Sequence, residues 1–156
     1  MPKCNDMDVT QIDLTRIMPH RRPMLLVEKI ESISPTGGRV RAANPEDGLF
    51  AGKDGFLLPP ALIEMVAQAY AACDGAKRFL EGTLPKDGGG FLVNVRDFHF
   101  LTPVRAGQEI RVDVTVKDRF LDTRIVEGTV WAGGKKAAEG QVYVFVWENT
   151  PPQENK

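Results

Sequence analysis

Glu64 and Gln68 lie four residues apart inside ALIEMVAQAYAAC, residues 61–73, where the other side chains are apolar or weakly polar. Four residues is about one helical turn, so the carboxylate and the amide share a face of any helix spanning this segment. A carboxylate held in apolar surroundings loses hydration, and its pKa rises. Such a group protonates a leaving hydroxyl in its acid form and removes a proton in its ionised form. The plain alternative is a structural glutamate, bonded to a strand backbone or ion-paired with an arginine such as Arg96. Gln68 either orients that carboxylate or bonds to a strand carbonyl.

An imidazole titrates near neutrality and is the natural partner of such an acid. The chain has two histidines. His20 falls in PHRRP (19–23), in the turn before the first strand-like run, and is either that partner or a structural or surface residue. His99, between Phe98 and Phe100, reads as a strand-face residue. Two isolated histidines and two isolated cysteines, Cys4 and Cys73, give no metal-ligand spacing and no disulfide framework. The glycine pairs read as turns, not phosphate loops, and no serine–histidine constellation stands out.

The elements that must position these groups follow from pattern. VTQIDLTRIM (9–18) fits a short helix with Thr10 as N-cap. MLLVEKIESI (24–33) and GRVRAA (38–43) flank PTGG and read as a hairpin. NPEDGLFAGKDG (44–55) is a loop. A long helix is expected from Pro60 to Leu80, since proline fits a first helical turn, and the glycines and proline of 81–90 stop it. Strand-like runs follow at 91–101, 109–120, 123–132 and 137–147, with connectors short enough for antiparallel neighbours. One long apolar helix and six strands make an α+β unit if the antiparallel sheet curls around the helix. This is the hotdog architecture, expected over residues 9–148, between a flexible start (1–8) and a disordered tail (149–156).

The 156 residues carry a formal net charge of −1, which argues against a nucleic-acid partner held by bulk positive charge. No apolar run is long enough for a membrane span, and MPKCNDMDVTQ lacks the apolar core of a secretory signal. A cytoplasmic protein with free thiols is the expectation.

Three stretches carry a resemblance. MPHRRPMLLVEKI (18–30), ALIEMVAQAYAA (61–72), with Glu64, Ala67 and Gln68 matching an E-x-x-A-Q pattern, and DFHFLTPVRAGQEIRVDVTV (97–116) resemble segments of FabZ-type 3-hydroxyacyl-ACP dehydratases. The likeness covers roughly residues 12–147. LFAGKDG (49–55) and the run near 91–96 are similar to the ApeP-type dehydratase-like proteins of aryl polyene clusters. The resemblance implies a hotdog dimer whose sheets join edge to edge, and loss of water from a 3-hydroxyacyl-ACP or related acyl thioester without any cofactor. It makes Glu64 the acid and puts Ala61, Leu62, Gln68 and Phe50 at the substrate, with Lys53 either at the site entrance or on a solvated loop.

The chain departs from that family in two places. FabZ-type enzymes carry a histidine fourteen residues before the helix glutamate; here that position is Phe50, and Gly52-Lys53 is the nearest local match. At the helix start, Pro59-Pro60 stand where the family aims a glycine N–H at the thioester carbonyl, so Ala61 and Leu62 are the first residues able to donate. Three readings follow: a dehydratase whose loop histidine comes from a second hotdog subunit, a thioesterase using the helix carboxylate, or a non-catalytic acyl-binding subunit. Arg21, Arg22, Arg39 and Arg41 are expected either as a docking patch for an acidic acyl carrier protein or as solvated arginines.

Overall fold

The computed structural model describes residues 8–85 and 89–147. Of the expected flexible start only Asp8 falls within these; the expected tail and Cys4 lie outside the described residues.

Six antiparallel strands form one sheet: β1 (Val27–Ser34), β2 (Gly37–Ala42), β3 (Gly89–Phe100), β4 (Ile110–Phe120), β5 (Thr123–Ala132) and β6 (Lys135–Trp147). Their order across the sheet is β1-β2-β4-β5-β6-β3. β4 shows why the sheet has an inner face. Ile110, Val112 and Val114 alternate with polar residues and are buried, as a half-covered strand requires. Val112 pairs with Val40 on one side and Val130 on the other, and all three are fully buried.

That row packs against α1 (Pro60–Glu81), a helix of 22 residues and so about 33 Å long. Twelve of its residues are buried, from Ala61 to Ala76, which only a curled sheet allows. Alanines and Gly75 let the backbone come close, and Gly128 of β5 marks the tightest approach. A Cβ placed at Gly128 would stand 2.7 Å from Val66 Cγ2 and closer still to Cγ1. The helix ends at Gly82, whose φ of 73° suits a residue without a Cβ and whose N–H reaches back to the Arg78 and Phe79 carbonyls. The expected hotdog arrangement, a long helix wrapped by a six-stranded antiparallel sheet, is the one observed.

The expected helix over 9–18 is instead two short 3-10 turns, Val9–Gln11 and Leu14–Arg16. The reason is Asp13. Its side chain accepts the Thr15 N–H at 3.0 Å and starts a second turn, as Asp8 does for Thr10. An aspartate that bonds locally interrupts a helix it would otherwise sit within. β1 also starts three residues later than expected, because the chain from His20 to Leu26 is a turn that belongs to the site.

Candidate active site

Gln68 is the one fully buried polar side chain among the described residues, and its bonds explain its place. Its Oε1 accepts the Leu26 N–H at 2.7 Å, and its Nε2 donates to the Met24 carbonyl at 2.9 Å. The same Nε2 donates to Glu64 Oε1 at 3.0 Å. One amide therefore ties α1 to the segment entering β1 and fixes one oxygen of Glu64. Gln68 thus bonds to Glu64 and to backbone just before β1, not to a strand carbonyl.

The other end of that segment is held by arginines. Arg21 Nη1 donates to the Met18 and His20 carbonyls, both at 2.8 Å, and its Nη2 reaches the Thr15 carbonyl at 3.1 Å. Arg22 donates to the Leu25 carbonyl and, at 3.0 Å, to that of Val27. A planar guanidinium with five N–H groups suits this stapling of several carbonyls. The result sets His20 beside α1, with Nε2 4.0 Å from Glu64 Oε1. That distance is too long for a direct hydrogen bond, yet it lets one oxygen of a bound molecule touch both groups.

His20 and Glu64 line one cavity of about 610 Å³, with Ala67, Gln68 and Ala71 along the helix and Phe91 and Leu92 of β3 opposite. Glu64 keeps 32% of its side chain accessible, so it is only partly withdrawn from water. His20 Nδ1 is buried with no hydrogen-bond partner. A proton on Nε2 leaves no buried N–H unpaired, so the hydrogen-bonding pattern assigns the Nε2–H tautomer, with its donor toward Glu64.

Several expectations are corrected. The Ala61 N–H donates to the Leu58 carbonyl at 3.0 Å and the Leu62 N–H to that of Pro59 at 2.9 Å, so neither amide is open to a thioester. Pro59, itself in a right-handed helical conformation, starts the turn early and captures them. Phe50 is half-buried in a second cavity of about 670 Å³, with Leu25, Leu57 and Met65, and is not on the wall of the Glu64 cavity. Lys53 is exposed on the loop and lines neither cavity. The four arginines proposed as a docking patch are engaged: Arg21 and Arg22 as above, Arg39 with Asp113 at 2.6 Å and Arg41 with Glu109 at 3.5 Å. His99 is exposed on β3, opposite Glu139 of β6. Arg96 meets Asp97 and Tyr143, not Glu64. Cys73 is a buried free thiol whose burial pushes its pKa up to about 12, so it is inert near neutral pH.

Sequence reasoning missed the rest of the cavity wall: Tyr70, Asp74, Gly75 and Arg78 on α1, and Arg16 and Ile17 before it. The signal was present, because Glu64, Ala67, Ala71, Asp74 and Arg78 continue one helical face.

Residues 12–154 match the family described as ApeP dehydratase. The 3-hydroxyacyl-(acyl-carrier-protein) dehydratase FabZ of Caulobacter vibrioides is 32% identical over 94% of this chain and 92% of its own length. The FabZ of Clostridium kluyveri is 27% identical, covering 90% of this chain and 97% of its own. Among solved structures, a chain of the dehydratase heterocomplex ApeI:P from Xenorhabdus doucetiae superposes with a TM-score of 0.74 at 22% identity, covering 93% of each chain, a likeness of fold. With nearly its whole described length matched, this chain belongs to the ApeP-like dehydratase family.

Proposed function

We propose that the Glu64 cavity removes water from a 3-hydroxyacyl thioester, giving the 2-enoyl thioester, in fatty-acid or aryl polyene-type synthesis. The observation that carries this reading is the approach of His20 Nε2 to 4.0 Å from a Glu64 oxygen that Gln68 already holds. Glu64, ionised, takes the proton from Cα. The Cβ–O bond breaks, and the proton returns from Glu64 to the departing hydroxyl, which leaves as water. The His20 Nε2–H donates a hydrogen bond to that hydroxyl as charge builds on it. One carboxylate thus serves both halves of the proton transfer, which suits a chain whose loop has no histidine.

A second hotdog subunit is part of this reading, because the amides that would hold the thioester carbonyl are not open in this chain. The helix-start amides are taken, and the 44–57 loop carries no histidine. β3 is an edge strand, and Phe91, Val93, Val95 and Phe100 on it are exposed. An open apolar edge invites pairing with another strand. Because Phe91 and Leu92 also border the cavity, a subunit paired there would cover the site and bring its own loop to it. The resemblance to hotdog dimers and the ApeI:P heterocomplex point the same way.

The test is product analysis with a 3-hydroxyacyl-pantetheine and the matching acyl-ACP, using the chain alone and co-expressed with a hotdog subunit bearing a loop histidine. Water loss with the thioester intact supports the dehydratase. Release of free thiol would replace it with a thioesterase, and no turnover in either assembly would leave an acyl-binding subunit.

A further inference from the structure

The second cavity, of about 670 Å³, takes no part in the proposed reaction. Glu28 of β1 and Arg41 of β2 line it, so it stands at the sheet edge opposite β3, away from the strand on which a second subunit is proposed to pair. Its floor is apolar, with Leu25, Leu57 and Met65 buried and Phe50 half-buried. Pockets of about 300–1,000 Å³ with an apolar lining and a few placed polar groups are the usual form of a small-molecule site.

The polar groups here are incompletely bonded. Among the described residues, four buried side-chain polar atoms have no hydrogen-bond partner: His20 Nδ1, Arg41 Nε, Asn44 Oδ1 and Arg124 Nε. Two of the four, Arg41 Nε and Asn44 Oδ1, belong to residues of this one cavity wall. The Asn44 amide is fixed in direction, because its Nδ2 donates to the Arg105 carbonyl at 2.9 Å and to the Gln108 carbonyl at 3.1 Å. Turned over, it would set its own oxygen against both carbonyls. Oδ1 is therefore held as an acceptor with nothing among the described residues to accept from. Arg41 Nη2 lies 3.5 Å from Glu109 Oε2, so the guanidinium charge is met at an outer nitrogen while the Nε–H stays unpaired. A buried donor or acceptor left unpaired is costly, and a bound group that supplies the partner recovers that cost.

We propose that this cavity is a second ligand site, separate from the Glu64 cavity, for a small molecule that joins an apolar body to a carboxamide. Asn44 Oδ1 accepts the amide N–H, Arg41 Nε donates to the amide carbonyl, and the apolar body rests on Leu57 and Met65. Both polar atoms are covered from solvent, and Arg41, whose side chain is 36% exposed, turns to admit the ligand. One amide answers both atoms because it carries a donor and an acceptor side by side. A site that bonds an N–H discriminates against an analogue that lacks it.

Two-dimensional amide NMR of the full chain, titrated with N-butylacetamide and with butyl acetate, tests this. The ester keeps the carbonyl and the apolar body but has no N–H. The amide is expected to shift the Ala43, Leu57 and Gln108 signals and to bind about tenfold more tightly than the ester. Arg41→Lys keeps a cation for Glu109 but has no Nε, and is expected to weaken the amide about fivefold. Pantetheine as a third probe identifies the source of the amide: shifts of the same signals assign it to a thioester's own arm, and no shifts to a separate small molecule. Equal affinity for amide and ester overturns the proposal, as do shifts confined to the residues around Glu64 or an unchanged amide affinity in Arg41→Lys. Should Arg41→Lys fail to fold, the wild-type comparison of amide with ester decides alone. Each of these results leaves the reaction proposed for Glu64 standing.

Discussion

Gln68 of α1 and Leu26, one residue before β1, are joined by a 2.7 Å hydrogen bond from the Leu26 N–H to the glutamine Oε1, and the same amide holds Glu64. Fold and site therefore share one side chain. Gln68→Ala strands the buried Leu26 N–H and takes a partner from the part-buried Met24 carbonyl, at a cost of about 2–3 kcal/mol. For a chain of this size the melting temperature should fall by roughly 5–12 °C, read by thermal unfolding. A change of a degree or less would mean the bonds contribute nothing that water cannot replace.

The contact between Val66 and Gly128 predicts a pair of coupled substitutions. Gly128→Ala pushes a methyl group into Val66 and should destabilise by about 1–3 kcal/mol, the usual range for overpacking. Val66→Ala alone leaves a cavity, but in the Gly128→Ala background it makes the needed room. Denaturant melts of the four proteins should therefore give a double mutant more stable than the two single effects predict. Simple additivity would show that helix and sheet do not meet at this point.

Asp113 links three strands. Its carboxylate accepts from Arg39 Nε at 2.6 Å and Nη2 at 2.9 Å, and from Trp131 Nε1 at 3.0 Å. The Arg39 hydrogen bond, opposed by partial burial, holds the Asp113 pKa below its ordinary value. A carboxyl with a depressed folded pKa stabilises the protein above its unfolded value, near 3.9, and loses that contribution as pH falls through the folded value. The melting temperature of Asp113→Asn should thus lie below that of the wild type at pH 7, with the gap closing below about pH 4. A gap that stays constant down to pH 2 would assign the effect to shape, not charge.

The long helix and the strand pairs were legible because their signals are local. Alternation in IRVDVTV and the apolar run after Pro60 need no partner to be recognised. The Glu64–Gln68 relation was legible for the same reason, since helical spacing alone puts both on one face. What escaped depends on contacts distant in sequence. The His20 turn is shaped by two guanidinium groups bonding to backbone carbonyls, and no periodicity announces such bonds. Arg39 looks like a free surface cation until β2 and β4 pair and bring Asp113 opposite it. The amides of Ala61 and Leu62 looked available because helix starts usually leave donors open. They are closed by the conformation of Pro59, which proline's fixed φ permits but does not dictate.

The most direct test of the account is the rate of water loss from a 3-hydroxyacyl thioester by wild type, Glu64→Gln and His20→Ala, each in the assembly that shows activity. Glutamine keeps the shape of Glu64 but cannot carry a proton, so turnover should fall at least about a hundredfold with KM little changed. His20→Ala, which removes only the hydrogen bond to the departing hydroxyl, should lose roughly tenfold. A folded Glu64→Gln protein that dehydrates at the wild-type rate would contradict the account, since both proton transfers are assigned to that carboxylate.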